Sequence, residues 1–143
     1  MFVPRTVAPS TVAREGIPEW VILRTRRPNV LFTGWHAPCE TVMATLQPYL
    51  RSPIYFWAPD TALPAPGDVT TLLVCDVATL SLDQQRALLS WLDQAAPGQT
   101  QVVSTTALEL FPLVEHGTFL DTLYYRLNTI RLDAPAHRVV IEH

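Results

Sequence analysis

Five short runs, 30–34 (VLFTG), 53–57 (PIYFW), 71–75 (TLLVC), 101–105 and 128–132 (NTIRL), limit what this chain can fold into more than any other feature. Residues 30–34 and 71–75 are apolar nearly throughout, as a strand buried on both faces must be. Residues 53–57 are rich in aromatic and β-branched residues, which suit a pleated surface. Between the runs lie helix-patterned or loop segments. Strands that alternate with helices imply a parallel sheet with right-handed crossovers.

The helical segments carry their own punctuation. Residues 81–94 begin with Ser81 and Gln84 in the S-x-x-Q spacing of a capping box. There, Leu82, Leu88, Leu89, Leu92 and Ala95 share one face, and Asp83, Arg86, Ser90, Asp93 and Gln94 the other. Pro97-Gly98 ends this helix. Residues 40–47 fit a short helix stopped before Pro48, and residues 107–115 and 119–126 read as helical. Residues 58–70 hold four Pro or Gly and read as a loop. Residues 1–20 read as an irregular N-terminal arm and 21–143 as a single domain. Residues 21–24 fit an edge strand or a helix end, and 139–141 a last short strand.

A length of 143 residues allows one domain with a real core. With 48% hydrophobic and 16% charged residues the chain is globular rather than disordered. A net charge of −3 leaves no electrostatic footprint for nucleic acid, so DNA binding is not expected. The N-terminus lacks the apolar core of a signal peptide, and no apolar run is long enough to cross a membrane. Cys39 and Cys75 lie in no C-x-x-C pair, and no His/Cys cluster has metal-ligand spacing. They read as two isolated thiols in a reducing cytoplasm, with no metal and no cofactor.

Residues 100–128 contain a strand, a helix and then Gly117, Phe119, Leu123, Tyr124, Tyr125, Arg126, Leu127 and Asn128. This run resembles the G-x-F…D-L-Y-Y-R-L-N signature in the central AAA+ ATPase domain of sigma-54-dependent transcription activators. The resemblance extends to residues 70–94, where Thr71, Leu72, Leu80, Leu82, Gln85, Leu88, Leu89 and Leu92 match the family's G-T-L-F-L-D-E-I block. Residues 29–34 resemble the strand entering a phosphate loop, 53–65 the P-F-V-A-V-N-C-A-A-L-P-E segment, and 131–138 the segment after the last strand. In all it spans about residues 28–138. It implies a P-loop, AAA+-like α/β three-layer sandwich with about five parallel strands in the order 5-1-4-3-2. Two family parts have no counterpart: the insertion carrying GAFTGA, which touches sigma-54, and the C-terminal helical lid.

The same register implies that the nucleotide chemistry is gone. A phosphate loop needs G-x-x-x-x-G-K-[ST], whose glycines let backbone N–H groups close on phosphate while the Lys neutralises it. The aligned octet is Gly34-Trp35-His36-Ala37-Pro38-Cys39-Glu40-Thr41. Pro38 removes an N–H donor, and Cys39 puts a side chain where close approach is needed. Glu40 stands at the Lys position. Unit charges about 4 Å apart interact by roughly 4 kcal/mol at an effective dielectric of ~20, so reversing the sign costs phosphate binding several kcal/mol. Cys75 and Asp76 replace the Asp-Glu that holds the Mg²⁺ shell and orients water. The first-sensor Asn aligns with Ala107. Of two arginines that reach a neighbouring subunit's nucleotide, one aligns with Leu120 and the other is kept as Arg126.

The resemblance therefore implies a catalytically inactive domain that acts through protein–protein contact or self-association, in transcription regulation. The alternative is a non-hydrolysing nucleotide or small-molecule sensor in the old cleft. A decayed product and an enzyme with new chemistry at Cys39 or Cys75 rank below these. Arg126 reads either as a finger acting on a partner's nucleotide or as a helix-surface Arg paired with Glu or Asp. Trp35 and His36 read as a stacking site or partner anchor, or the indole fills the space the nucleotide vacated. Of the adjacent Tyr124 and Tyr125, one belongs to the core and the other to the surface. Glu109, Glu115 and Asp121 read as a solvated face.

Overall fold

In a computed structural model, residues 27–95 and 98–134 are described. The N-terminal arm, the 21–24 and 139–141 segments and Pro97 lie outside them. The strands are β1 (Val30–Thr33), β2 (Ile54–Phe56), β3 (Thr71–Val74), β4 (Gln101–Thr106) and β5 (Ile130–Asp133). All pair in parallel, in the order β2-β3-β4-β1-β5. This is the 5-1-4-3-2 order implied by the resemblance. The three inner strands β1, β3 and β4 are buried throughout, whereas the edge strands β2 and β5 are not. Burial on both faces explains the unbroken apolar runs of β1 and β3.

Helices cover both faces. On one side α1 (Cys39–Leu46) places Val42 and Leu46 against Val30, Phe32, Val103 and Leu132. On the other, α2 (Leu82–Gln94), α3 (Phe111–Glu115) and α4 (Asp121–Leu127) enclose a larger core with Leu31, Leu72, Val74 and Val102. Three layers result. The β2–β3 connection packs Trp57, Leu63 and Val69 onto this second core, and its sole helical element is the 3-10 turn Pro66–Asp68. The place of the GAFTGA insertion is therefore a direct crossover.

The Ser81–Gln84 capping box forms in both directions, at 3.1 and 2.8 Å. The buried stripe of α2 differs from the expected one. It is Gln85, Leu88, Trp91 and Leu92, while Leu82 is 37% exposed. Gln85 takes an inward position because three backbone groups there need a partner. Its Nε2 donates to Leu80 O (3.1 Å) and Thr118 O (3.0 Å), and its Oε1 accepts from Leu120 N (2.8 Å). Trp91 is buried too, with its indole N–H donating to Pro64 O at 2.6 Å. The segment expected to be helical from 107 turns helical only at Phe111. Before it, the Thr106 hydroxyl donates to Leu108 O and accepts from Leu108 N, holding a turn.

Asn29 does similar work at the amino ends of the strands. Its side chain accepts from Val102 N (2.9 Å) and donates to Arg126 O (3.0 Å), joining β1, β4 and the last turn of α4.

Replacing Gln85 with Leu leaves two carbonyls and one amide without a partner inside the protein. At about 1–3 kcal/mol per buried unsatisfied group, and with some relaxation, Gln85→Leu is expected to lose about 2–4 kcal/mol in urea unfolding. Asp83→Asn, on the exposed face of the same helix, should change stability by less than about 0.5 kcal/mol.

Candidate functional site

Ligands of open α/β sheets sit outside the carboxyl ends of the strands. At that edge β1 ends in Thr33, β3 in Val74 and β4 in Thr106. Gly34 follows β1 with φ +71°, a conformation that side chains disfavour, and its missing Cβ would meet nothing within 4 Å. Glycine is thus required by the turn and not by crowding.

From Gly34 the chain crosses the end of β4. The Trp35 N–H donates to Thr106 O at 3.1 Å. The indole is buried and meets Phe32 edge-on, with centroids 5.2 Å apart. His36 and Pro38 are exposed and Ala37 is half-buried. Pro38 is the N-cap of α1, and its carbonyl accepts from Thr41 N and Val42 N at 3.0 and 3.1 Å. Cys39, Glu40 and Thr41 form the first turn of the helix, all three exposed. Glu40 is the acidic residue there, so the turn facing the edge carries a negative charge.

The crossing loop ends in a covalent bond. Cys39 and Cys75 are joined in a disulfide with Cα atoms 5.8 Å apart, a usual separation for such a bridge. This corrects the expectation of two isolated thiols. The two cysteines are 36 residues apart, one opening the helix that follows β1 and the other directly after β3, and β4 lies between those two strands. Two strand spacings are about 10 Å. Only the path of the Gly34–Pro38 loop over β4 brings the pair together, and nothing in the spacing of the two residues reveals it.

Asp76, next to the bridge, is exposed and left-handed (φ 56°), and its N–H donates to the Thr105 hydroxyl at 3.0 Å. Its carbonyl accepts from both the amide and the hydroxyl of Thr79. Ala107, half-buried, directly follows β4. The fold therefore collects the octet 34–41, Cys75–Asp76 and Ala107 on one edge. Thr105 and Thr106, not singled out from the sequence, complete it by holding Asp76 and Trp35. Their signal is a pair of polar β-branched residues closing a fully buried strand.

Arg126 does not join them. Its carbonyl is bound by Asn29 at the opposite, amino end of the sheet, and its guanidinium pairs with Asp93 at 2.6 Å on the solvent side. Of the three acidic residues read as a solvated face, Glu109 pairs with Arg131. Tyr124 is half-buried and Tyr125 is 63% exposed, so the two rings do divide between core and surface.

The thiolate is the form of cysteine that attacks or ligates, and here both sulfurs are bonded to each other. Among the described residues no group of three or more His, Cys, Asp or Glu could hold a metal ion.

The family model described as "Sigma-54 interaction domain" matches residues 59–136, more than half of the chain. No curated protein matches significantly. Among solved structures, NtrX from Brucella abortus in complex with ADP is similar at 18% identity and TM-score 0.62, over 91% of this chain and 37% of that one. The same protein in complex with ATP gives 20% identity and TM-score 0.61 over the same shares. The P-loop NTPase domain of a sigma-54 activator from E. coli gives 17% identity and TM-score 0.53, over 81% of this chain and 88% of that one. These likenesses establish the fold. The chain spans little more than a third of the NtrX length.

Closing a loop of this length removes unfolded-state entropy worth about 2–4 kcal/mol. The Cys39→Ser/Cys75→Ser double variant is expected to lose that amount in urea unfolding. Dithiothreitol should shift the unsubstituted protein by the same amount and leave the double variant unmoved.

Proposed function

Since the chain belongs to the sigma-54 interaction domain family, we propose that it is a member in which the AAA+ scaffold serves contact with other proteins and no longer turns over ATP. The observation that carries this reading is the Cys39–Cys75 bond. It ties the turn that should cradle phosphate to the strand end that should hold Mg²⁺. Three further features point the same way. Glu40 replaces the cation, Pro38 offers no N–H, and Trp35 is sunk in the core instead of leaving the loop free to close on a ligand.

The direct β2–β3 crossover bears on the partner. It is a loop with a single 3-10 turn, packed on the core, and offers no insertion of the kind that touches sigma-54. The partner that fits is a competent activator domain of the same family, whose ring this domain joins or blocks in transcription regulation. Exposed apolar side chains support a contact role. Phe111 (44% exposed) and Tyr125 (63% exposed) flank Tyr124, with ring centroids 6.1 and 5.1 Å apart. Aromatic residues of this kind are the usual anchors of protein interfaces.

Two measurements test the reading. A ligand that binds only the folded state at about 100 times its Kd stabilises by about 2.7 kcal/mol. Millimolar ATP or ADP with Mg²⁺ should therefore leave the melting midpoint unchanged, and no phosphate should be released. Midpoint elevation without hydrolysis would favour a nucleotide sensor instead. The Cys39→Gly/Glu40→Lys variant should stay inactive, because Asp76 and Ala107 still differ from what the chemistry needs. Added to a competent activator domain, the chain should alter that domain's ATP turnover or assembly size. Phe111→Ser/Tyr125→Ser should abolish the effect while the fold remains intact. If turnover and assembly are both unaffected by the unsubstituted chain, the contact reading fails.

A further inference from the structure

The two sulfurs of the bridge are not equivalent. Cys39 is exposed on the first turn of α1, on a loop end that projects over the edge of the sheet. Cys75 is half-buried and packs against the core that lies beneath α1. A thiolate must approach the sulfur it attacks, so access selects the target. Packed against that core, Cys75 is the less accessible of the two, whereas Cys39, Glu40 and Thr41 on the first turn of α1 are all exposed.

We propose that Cys39 is a thiol-exchange site for low-molecular-weight thiols of the glutathione class, and that exchange there unlocks the edge of the sheet. The thiolate attacks Sγ of Cys39. The Cys39–Cys75 bond breaks, and Cys75 departs as thiolate and takes a proton from water. A new disulfide joins Cys39 to the small thiol. A second thiolate then attacks the sulfur of the bound small thiol, releasing Cys39 as a thiol together with the symmetrical small disulfide. Two electrons pass from two monothiols to the bridge, so the balance closes without a metal or a cofactor.

The consequence is local. The bridge is the only covalent tie between the first turn of α1 and the end of β3. Its opening leaves the loop held by the buried Trp35 and its bond to Thr106 O. The adduct on Cys39 stands beside His36 and Glu40, which are exposed as well. The inference concerns the same edge as the proposed loss of ATP turnover, but it does not need that reading. Thiol exchange is read by mass, and nucleotide chemistry by phosphate release, so either can fail alone.

The test uses the whole purified chain, prepared without reductant. Thiol titration of the native protein should find no free cysteine, and free thiols there would overturn the proposal. Glutathione is then added at graded ratios to its disulfide, the reaction is quenched with acid, and peptides are mapped by mass spectrometry. The expected mixed disulfide lies on the peptide carrying Cys39. An adduct mainly on Cys75, or a bridge that opens only after unfolding, overturns the proposal. Single variants supply a second readout that does not depend on the bridge. Native Cys75→Ser, with Cys39 free, should react with iodoacetamide at least about tenfold faster than native Cys39→Ser, since a thiol packed against the core forms and presents its thiolate less readily than one exposed on a helix's first turn. Circular dichroism and the melting midpoint establish that each variant is folded. Equal rates, or faster reaction at Cys75, also overturn it.

Discussion

The position of β4 between β1 and β3 governs the rest of the functional edge. Anything that leaves β1 and acts together with the end of β3 must first pass over β4. In this protein the passage is made by Gly34, which turns the chain, and by Trp35, which pins it with a backbone bond to Thr106 and an indole sunk beside Phe32. The loop is thereby fixed from within the core. A phosphate-binding loop works in the opposite way, with successive N–H groups turned outward to an anion. Here an aromatic side chain anchors the second residue of the loop and a bridge holds the sixth.

A second set of constraints holds the layer on the far side of the sheet. That layer consists of one long helix, two short ones and the loops between them, and its loops expose backbone groups to a dry interior. Buried polar groups must be paired. Gln85 pairs three of them, from the β3–α2 connection and the α3–α4 connection, while Asn29 ties α4 to β1 and β4. Two amides thus do for the loops what the apolar stripe of α2 does for the sheet. The exposed ion pairs, Arg126–Asp93, Arg86–Asp83 and Arg131–Glu109, contribute little by comparison, since solvent-exposed pairs are worth about 0–1 kcal/mol.

Much of this architecture is legible in the residues themselves. The inner strands β1 and β3 announce themselves as short apolar runs because both their faces are covered. The capping box of α2 is visible because it is local: four residues contain donor and acceptor alike. The strand order follows from the 117–128 signature and the resemblance it carries. What is not legible is long-range. The sequence leaves Cys39 and Cys75 as separate thiols, because their meeting depends on a loop path and not on their spacing. Leu82 looks as apolar as Leu88, yet the inward place goes to Gln85, for backbone acceptors that come from elements 5 and 33 residues away. Thr105 and Thr106 gain their roles only when the ends of β1, β3 and β4 lie side by side.

Many of the residues that match the family pattern are interior ones, although Leu82 and Tyr125 match it from the surface. Gln85, Leu88, Leu92, Leu123 and Leu127 match the family, and all are buried; each fills space or satisfies a backbone group that the fold cannot leave open. On the carboxyl edge, by contrast, His36, Pro38, Cys39, Glu40 and Asp76 are exposed. Exposed positions at a strand-end edge carry almost no packing cost, so a change there alters what the edge binds without altering whether the sheet forms. A scaffold of this kind accommodates Pro38, Glu40 and the bridge between Cys39 and Cys75 at that edge while every layer of the sandwich remains in place. The separation of core from edge leaves the residues of the edge free to vary on one fold.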